Sequence, residues 1–132
     1  MARPPSRYPT ELELQVLQIL WRVGESSVMG VRDALAEDRD RDIARTSVVT
    51  TLNVMADKGL VHRRQEGRAY LFSHAVTQEE VSQGMLGDLL DRVFDGSAEA
   101  LLLNLLDSEH VDDEEHRALR RLINRKRGGG KQ

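Results

Sequence analysis

Apolar residues recur at intervals of three and four along most of this chain, with one short stretch where they do not. Leu14, Leu17 and Trp21, flanked by Val16 and Leu20, share one face of a predicted helix. Thr10 and Glu13 stand at capping-box spacing at its start, and Gly24 is its natural stop. Ser27 can cap a second helix carrying Val28, Val31, Ala34 and Leu35, and the charged run 37–42 reads as a solvated connection. A third helix is predicted from about Arg45 to Lys58, with Val48, Leu52 and Met55 on one face and Gly59 behind it. Its segment 46–51 is rich in β-branched residues and locally strand-like, but the three-and-four spacing decides for helix.

After Gly59 the pattern changes. Segments 60–65 and 68–74 flank Glu66-Gly67 and predict a β-hairpin with a tight, glycine-containing turn. Helical spacing returns at Thr77. One helix covers about 79–94, with Val81, Met85, Leu89, Leu90 and Val93 apolar. A second covers about 98–107 behind Ser97, and a third about 113–126, where Asp112 and Glu115 again have capping-box spacing. The proline-rich segment 1–9 reads as a flexible arm and 125–132 as a basic, glycine-rich tail expected to be disordered from about 128. No internal repeat is visible.

The fold class is therefore mainly α with a small β-hairpin. Three helices and a hairpin over 10–76 have the layout of a winged helix-turn-helix, with 77–127 as a second, helical region. In that layout the third helix enters the major groove and the hairpin tip reaches the backbone. Arg45, Thr46, Ser47 and Thr50 lie at the start of that helix, and Arg63, Arg64 and Arg68 surround the turn. Arginine can fork onto guanine or phosphate, and hydroxyls suit phosphate oxygens.

The helical region poses a different problem. Leu101, Leu102, Leu103, Leu105 and Leu106 make one short helix apolar almost all round, and some 55 residues are too few to enclose that surface alone. A symmetric homodimer is the economical answer, with Leu89, Leu90, Val93, Leu101, Leu102, Leu105, Leu106, Leu119, Leu122 and Ile123 as the dimerisation residues. Packing back onto the winged helix is the alternative.

Composition narrows the choices. At 132 residues, with 39% hydrophobic and 31% charged, the chain is a soluble globular domain, or a small domain with an appendage. Aromatics are 4%, which argues against a stacking platform for single strands. Cysteine is absent, which excludes disulfides and thiolate metal sites. No apolar run spans a membrane and the start has no signal-peptide core, so the expectation is a cytoplasmic protein without membrane contact. The net charge of −3 is unevenly spread: 43–76 holds five basic residues against two acidic, while 77–132 holds eight against twelve.

At this point the chain resembles the penicillinase-repressor family, the BlaI/MecI type of transcriptional repressor. The likeness lies in 11–21 with its Leu20-Trp21 pair, in 28–35, in the recognition segment 44–52 leading to Lys58-Gly59-Leu60-Val61, and in the wing Gly67-Arg68-Ala69-Tyr70. It runs from about Glu11 to Arg125. The resemblance implies a homodimeric repressor on double-stranded DNA carrying an inverted-repeat operator, with Thr46, Ser47, Val49 and Thr50 facing the groove and Tyr70 in the wing. It also implies release by an upstream sensor or protease that disrupts the dimerisation region, with Asn104–Leu105 as the candidate cleavage bond. Two departures stand out: Val54 replaces a common Arg, and the C-terminal cysteines of copper-responsive relatives are missing.

Rival functions have little chemistry to draw on. His62, His74, His110 and His116 show no paired ligand spacing on one helix face, and no nucleophile elbow or phosphate-cradling loop is present. His62 and His74 fall on opposite strands of the hairpin, where they would be neighbours in a surface pair. Neither an enzyme nor a metal or other cofactor is expected. The remaining alternative is a winged-helix protein-interaction module that does not bind DNA.

Overall fold

The structure, a computed structural model, describes residues 9–130. Apart from Pro9, the arm expected over 1–9 lies outside the described residues, as do Lys131 and Gln132 at the end of the expected tail. The elements are α1 (Glu11–Val23), β1 (Glu25–Ser27), α2 (Val28–Arg39), α3 (Arg45–Asp57), β2 (Val61–Glu66), β3 (Ala69–His74), α4 (Gln78–Val93), α5 (Ala98–Asp107) and α6 (Asp113–Gly130). They form two units, one ending at Met85 and one beginning at Leu86, so the division falls inside α4.

In the first unit α1 starts on the expected capping box. Thr10 Oγ1 accepts from the Glu13 amide and Glu13 Oε1 accepts from the Thr10 amide at 2.9 Å. Both Glu13 oxygens also take Lys58 Nζ at 3.0 Å, which ties the start of α1 to the end of α3. This carboxylate is only 4% exposed, so its full set of donors matters. Leu17, Leu20, Val31, Leu35, Val48, Leu52, Met55 and Phe72 close the core between the three helices and the sheet. Trp21 lies at the edge of that core and donates from Nε1 to the Val76 carbonyl at 2.9 Å.

The predicted hairpin is present, but its two-residue turn is Gly67-Arg68, one position beyond the expected Glu66-Gly67, because Glu66 pairs with Ala69 and Arg68 leaves the strand. Gly67 takes φ 61°, the positive value a glycine supplies without strain at the first central position of such a turn. A third strand that the apolar pattern does not show, β1, pairs antiparallel with β3 in the order β1-β3-β2. Its sequence Glu-Ser-Ser has no apolar alternation, so pairing with β3 alone makes it a strand.

Three expectations need correction. First, α2 runs through Glu37, Asp38 and Arg39 into the stretch expected to be a connection. An ion pair from Arg22 to Asp38 holds this last turn, and Asp40 at φ 49° closes it, with the Arg41 amide bonded to the Leu35 carbonyl at 3.0 Å. Second, α6 continues past 126 to Gly130, where a disordered tail was expected. Third, His62 pairs with Ser73 and His74 with Val61. That one-residue offset puts the two imidazoles on opposite faces of the sheet, so they are not neighbours.

The second unit contains the end of α4, α5 and α6. Ser97 caps α5 through the Ala100 amide at 3.1 Å, and Asp112 Oδ1 accepts from the Glu115 amide at 2.8 Å at the start of α6. His116 Nε2 lies 3.2 Å from the Leu106 carbonyl oxygen and links the two helices. No helix among the described residues is long and apolar enough to cross a membrane.

Candidate nucleic-acid interface

Helix α3 owes its orientation to Val48, Leu52 and Met55, each 0% exposed. Burying that seam turns Arg45, Thr46, Ser47 and Thr50 to solvent and leaves Val49 half-buried at their edge. Thr50 donates its hydroxyl to the Thr46 carbonyl at 3.0 Å, and Thr51 to the Ser47 carbonyl at 2.8 Å. Both hydroxyl protons are thus engaged along the helix, and the oxygens remain as outward acceptors. Ala44 is the N-cap and provides no side-chain bond, so no capping group takes the first amides of α3.

Beside this face lies a cleft of about 360 Å³ between the start of α2, the outer face of α3 and the hairpin. Ser27, Val28 and Met29 line one side, Arg45, Val49 and Asn53 another, and Arg63, Arg68, Ala69, Tyr70 and Phe72 the third. Arg63 donates to Asn53 Oδ1 at 2.8 Å and lies over the Tyr70 ring, 5.3 Å from its centroid. Arg68 occupies the hairpin turn. Among the described residues, Arg45, Arg63 and Arg68 form no ion pair, so the cleft concentrates positive charge in a chain of net charge −3.

The structure therefore brings together Arg45, Val49, Arg63, Arg68 and Tyr70 in one cleft, with Thr46, Ser47 and Thr50 on the exposed face of the same helix. Arg64 is separated from them. Strand alternation puts it on the opposite face of the sheet, where Glu25 receives its Nε and Nη2 at 2.7 and 2.8 Å and Glu66 receives Nη2 at 2.9 Å. The Arg64 hydrogen bond pulls the Glu25 carboxyl below its ordinary range, and Glu25 raises Arg64 further above its own.

Asn53, Ser27 and Met29 are cleft residues that sequence reasoning missed. Asn53 follows Val49 by four residues and so shares its helix face, a signal that was present. The approach of α2 carries no comparable signal. Val54 is 41% exposed, so the residue replacing a common Arg faces solvent. No group of three or more His, Cys, Asp or Glu side chains suited to a metal occurs among the described residues.

The expected dimerisation residues show a common feature: none is buried. Leu89, Val93, Leu105, Leu122 and Ile123 are exposed, and Leu90, Leu101, Leu102, Leu106 and Leu119 are half-buried. Leu86 and Leu103 add to the exposed apolar surface. Asn104 and Leu105 both lie within α5 and both are exposed.

The family model described as Penicillinase repressor matches residues 9–125. The transcriptional regulator BlaI of Mycobacterium tuberculosis (strain CDC 1551 / Oshkosh) is 34% identical over 115 residues, covering 86% of this chain and 80% of the relative. The methicillin resistance regulatory protein MecI of Staphylococcus aureus (strain N315) is 19% identical over 86% of this chain and 91% of its own length. Among solved structures, RosR of H. salinarum superposes with a TM-score of 0.53 at 14% identity, over 95% of this chain and 99% of that one, a likeness of fold.

Proposed function

The chain belongs to the penicillinase repressor family of DNA-binding transcriptional repressors, and on that premise we propose that it acts as a homodimer on an inverted-repeat operator. The observation that carries the reading is the exposed face of α3 beside a cleft holding three arginines that form no ion pair among the described residues. Each subunit places α3 in one major groove, where Thr46, Ser47, Val49 and Thr50 face base edges. Arg45, Arg63 and Arg68 neutralise phosphates, and Tyr70 supports Arg63. Repression follows by occlusion of the promoter.

The second unit supplies the pairing. Its exposed leucines, with Val93 and Ile123, need a cover that about 45 residues cannot provide, and a second copy presents the matching surface about a two-fold axis. Pairing makes binding of the second half-site intramolecular, so a signal that disrupts this region releases the operator. Cleavage at Asn104–Leu105 by a protease acting downstream of a sensor is one such signal. The bond sits inside a helix without buried residues, where the local opening that a protease requires costs little.

The test is footprinting of DNA upstream of the protein's own gene across a range of salt concentrations. Two symmetry-related protected patches, with affinity falling steeply as salt rises, are expected. Absence of protection at low salt would overturn the reading in favour of a protein-interaction module.

A further inference from the structure

We propose that Glu25 and Glu66 withdraw Arg64 from the DNA and use it to orient the wing, so that this clamp determines how well the protein separates its operator from other sequences. The inference rests on the DNA-binding reading above and concerns a different face of the same wing.

The clamp has an unusual path. In the order β1-β3-β2, the outer strands β1 and β2 share no backbone ladder. Arg64 and Ser27 both pair with Leu71 from opposite sides, so they lie in one row across the sheet. From that row the guanidinium spans β3 and meets Glu25 with two parallel bonds, at 2.7 and 2.8 Å. Glu25 sits two residues before Ser27, whose hydroxyl caps α2 through the Gly30 amide at 3.1 Å. The strand that carries the wing is thereby tied, side chain to side chain, to the start of the first helix of the helix-turn-helix pair. A two-pronged arginine–carboxylate contact fixes direction as well as distance.

Charge gives the second argument. Arg64 is flanked by two carboxylates within 3 Å, so its face of the wing is net negative and repels phosphate. The opposite face carries Arg63 and the turn carries Arg68, neither in an ion pair among the described residues. The wing can therefore approach a duplex in one orientation only. The pair is exposed to solvent, with Arg64 at 55% and Glu25 at 36% side-chain exposure. Exposed pairs contribute little to stability, so orientation and charge cancellation are what the clamp supplies. A glutamate is already ionised in the neutral range, and the Arg64 hydrogen bond lowers the Glu25 carboxyl further.

The test measures affinity of the full chain for an operator duplex and a random duplex over a salt series, for wild type, Arg64→Gln, Glu25→Gln and the charge swap Glu25→Arg/Arg64→Glu. Thermal melts confirm that each variant folds. Arg64→Gln should lower operator affinity about threefold while keeping the wild-type salt slope. Glu25→Gln should raise affinity for the random duplex and steepen the slope by up to about one. The swap should recover a higher operator-to-random ratio than either single variant. A slope that flattens by about one in Arg64→Gln would make Arg64 a phosphate contact and overturn the proposal. So would a swap whose operator-to-random ratio is no higher than that of Arg64→Gln or Glu25→Gln. If wild type itself bound neither duplex, the DNA-binding reading would fall first, a result distinct from both.

Discussion

The two units of this chain carry similar aliphatic sequences and treat them in opposite ways. Up to Met85, thirteen hydrophobic residues are buried and eight more pack against them. From Leu86 to Lys126 no residue is buried, although α5 alone holds five leucines. The difference is one of closure. Three helices and a sheet surround a volume on all sides, whereas two helices and the end of a third cannot. The first unit is complete as a folded body, and the second presents its apolar surface outward, the condition under which a chain gains by pairing with a copy of itself.

The largest effect that would sharpen this contrast comes from the first core. Phe72→Ala should cost about 4 kcal/mol in denaturant unfolding, independent of protein concentration. A concentration-dependent loss would show that the first unit also relies on a partner. Lys58→Met should cost about 3 kcal/mol, since it leaves the buried Glu13 carboxylate without its cation. A neutral result would mean that the capping bond with Thr10 is sufficient.

The second unit should respond differently. Leu122→Asp with Ile123→Asp should leave the unfolding of the first unit intact, convert dimer to monomer in sedimentation, and lower operator affinity about 100-fold. A variant that stays dimeric would place the interface elsewhere. Smaller again is Arg68→Ala, which should weaken binding to all sequences and flatten the salt slope by about one; an unchanged slope would remove the turn from the phosphate contacts.

The smallest effect is a titration. Glu25 has its carboxyl lowered in the folded state by the Arg64 hydrogen bond, so its contribution is present above the ordinary carboxylate range and is lost as pH falls through the depressed value. Carboxyl NMR shifts should place Glu25 below an ordinary glutamate and return it towards normal in Arg64→Gln. No change on that substitution would break the link between β1 and the wing.

Much of this was legible along the chain because it is local. A capping box needs only Thr10 and Glu13 three residues apart, and the end of α1 needs only Gly24. The Val48, Leu52 and Met55 seam decides a helix even within a strand-like run, because burial of one face outweighs the preference of β-branched residues. A tight turn at Gly67 and the bounds of α5 follow from the same short-range rules, although strand pairing sets the turn at Gly67-Arg68 and not at Glu66-Gly67. The outward face of α3 was legible too, since it is what remains when the seam is buried.

Only the tertiary structure decided the rest, and distance along the chain is the reason. Glu-Ser-Ser becomes β1 because β3 lies beside it, and Lys58 reaches Glu13 across 45 residues. Arg63 and Arg64 are adjacent in sequence and look equivalent. The alternation of β2 sends one to Asn53 and Tyr70, while the other meets a carboxylate 39 residues away. Local propensities determine which elements form and which side of each is apolar. Register and long-range ion pairing determine which charges remain available, because a charge is neutralised by whatever the fold brings within a few ångströms of it.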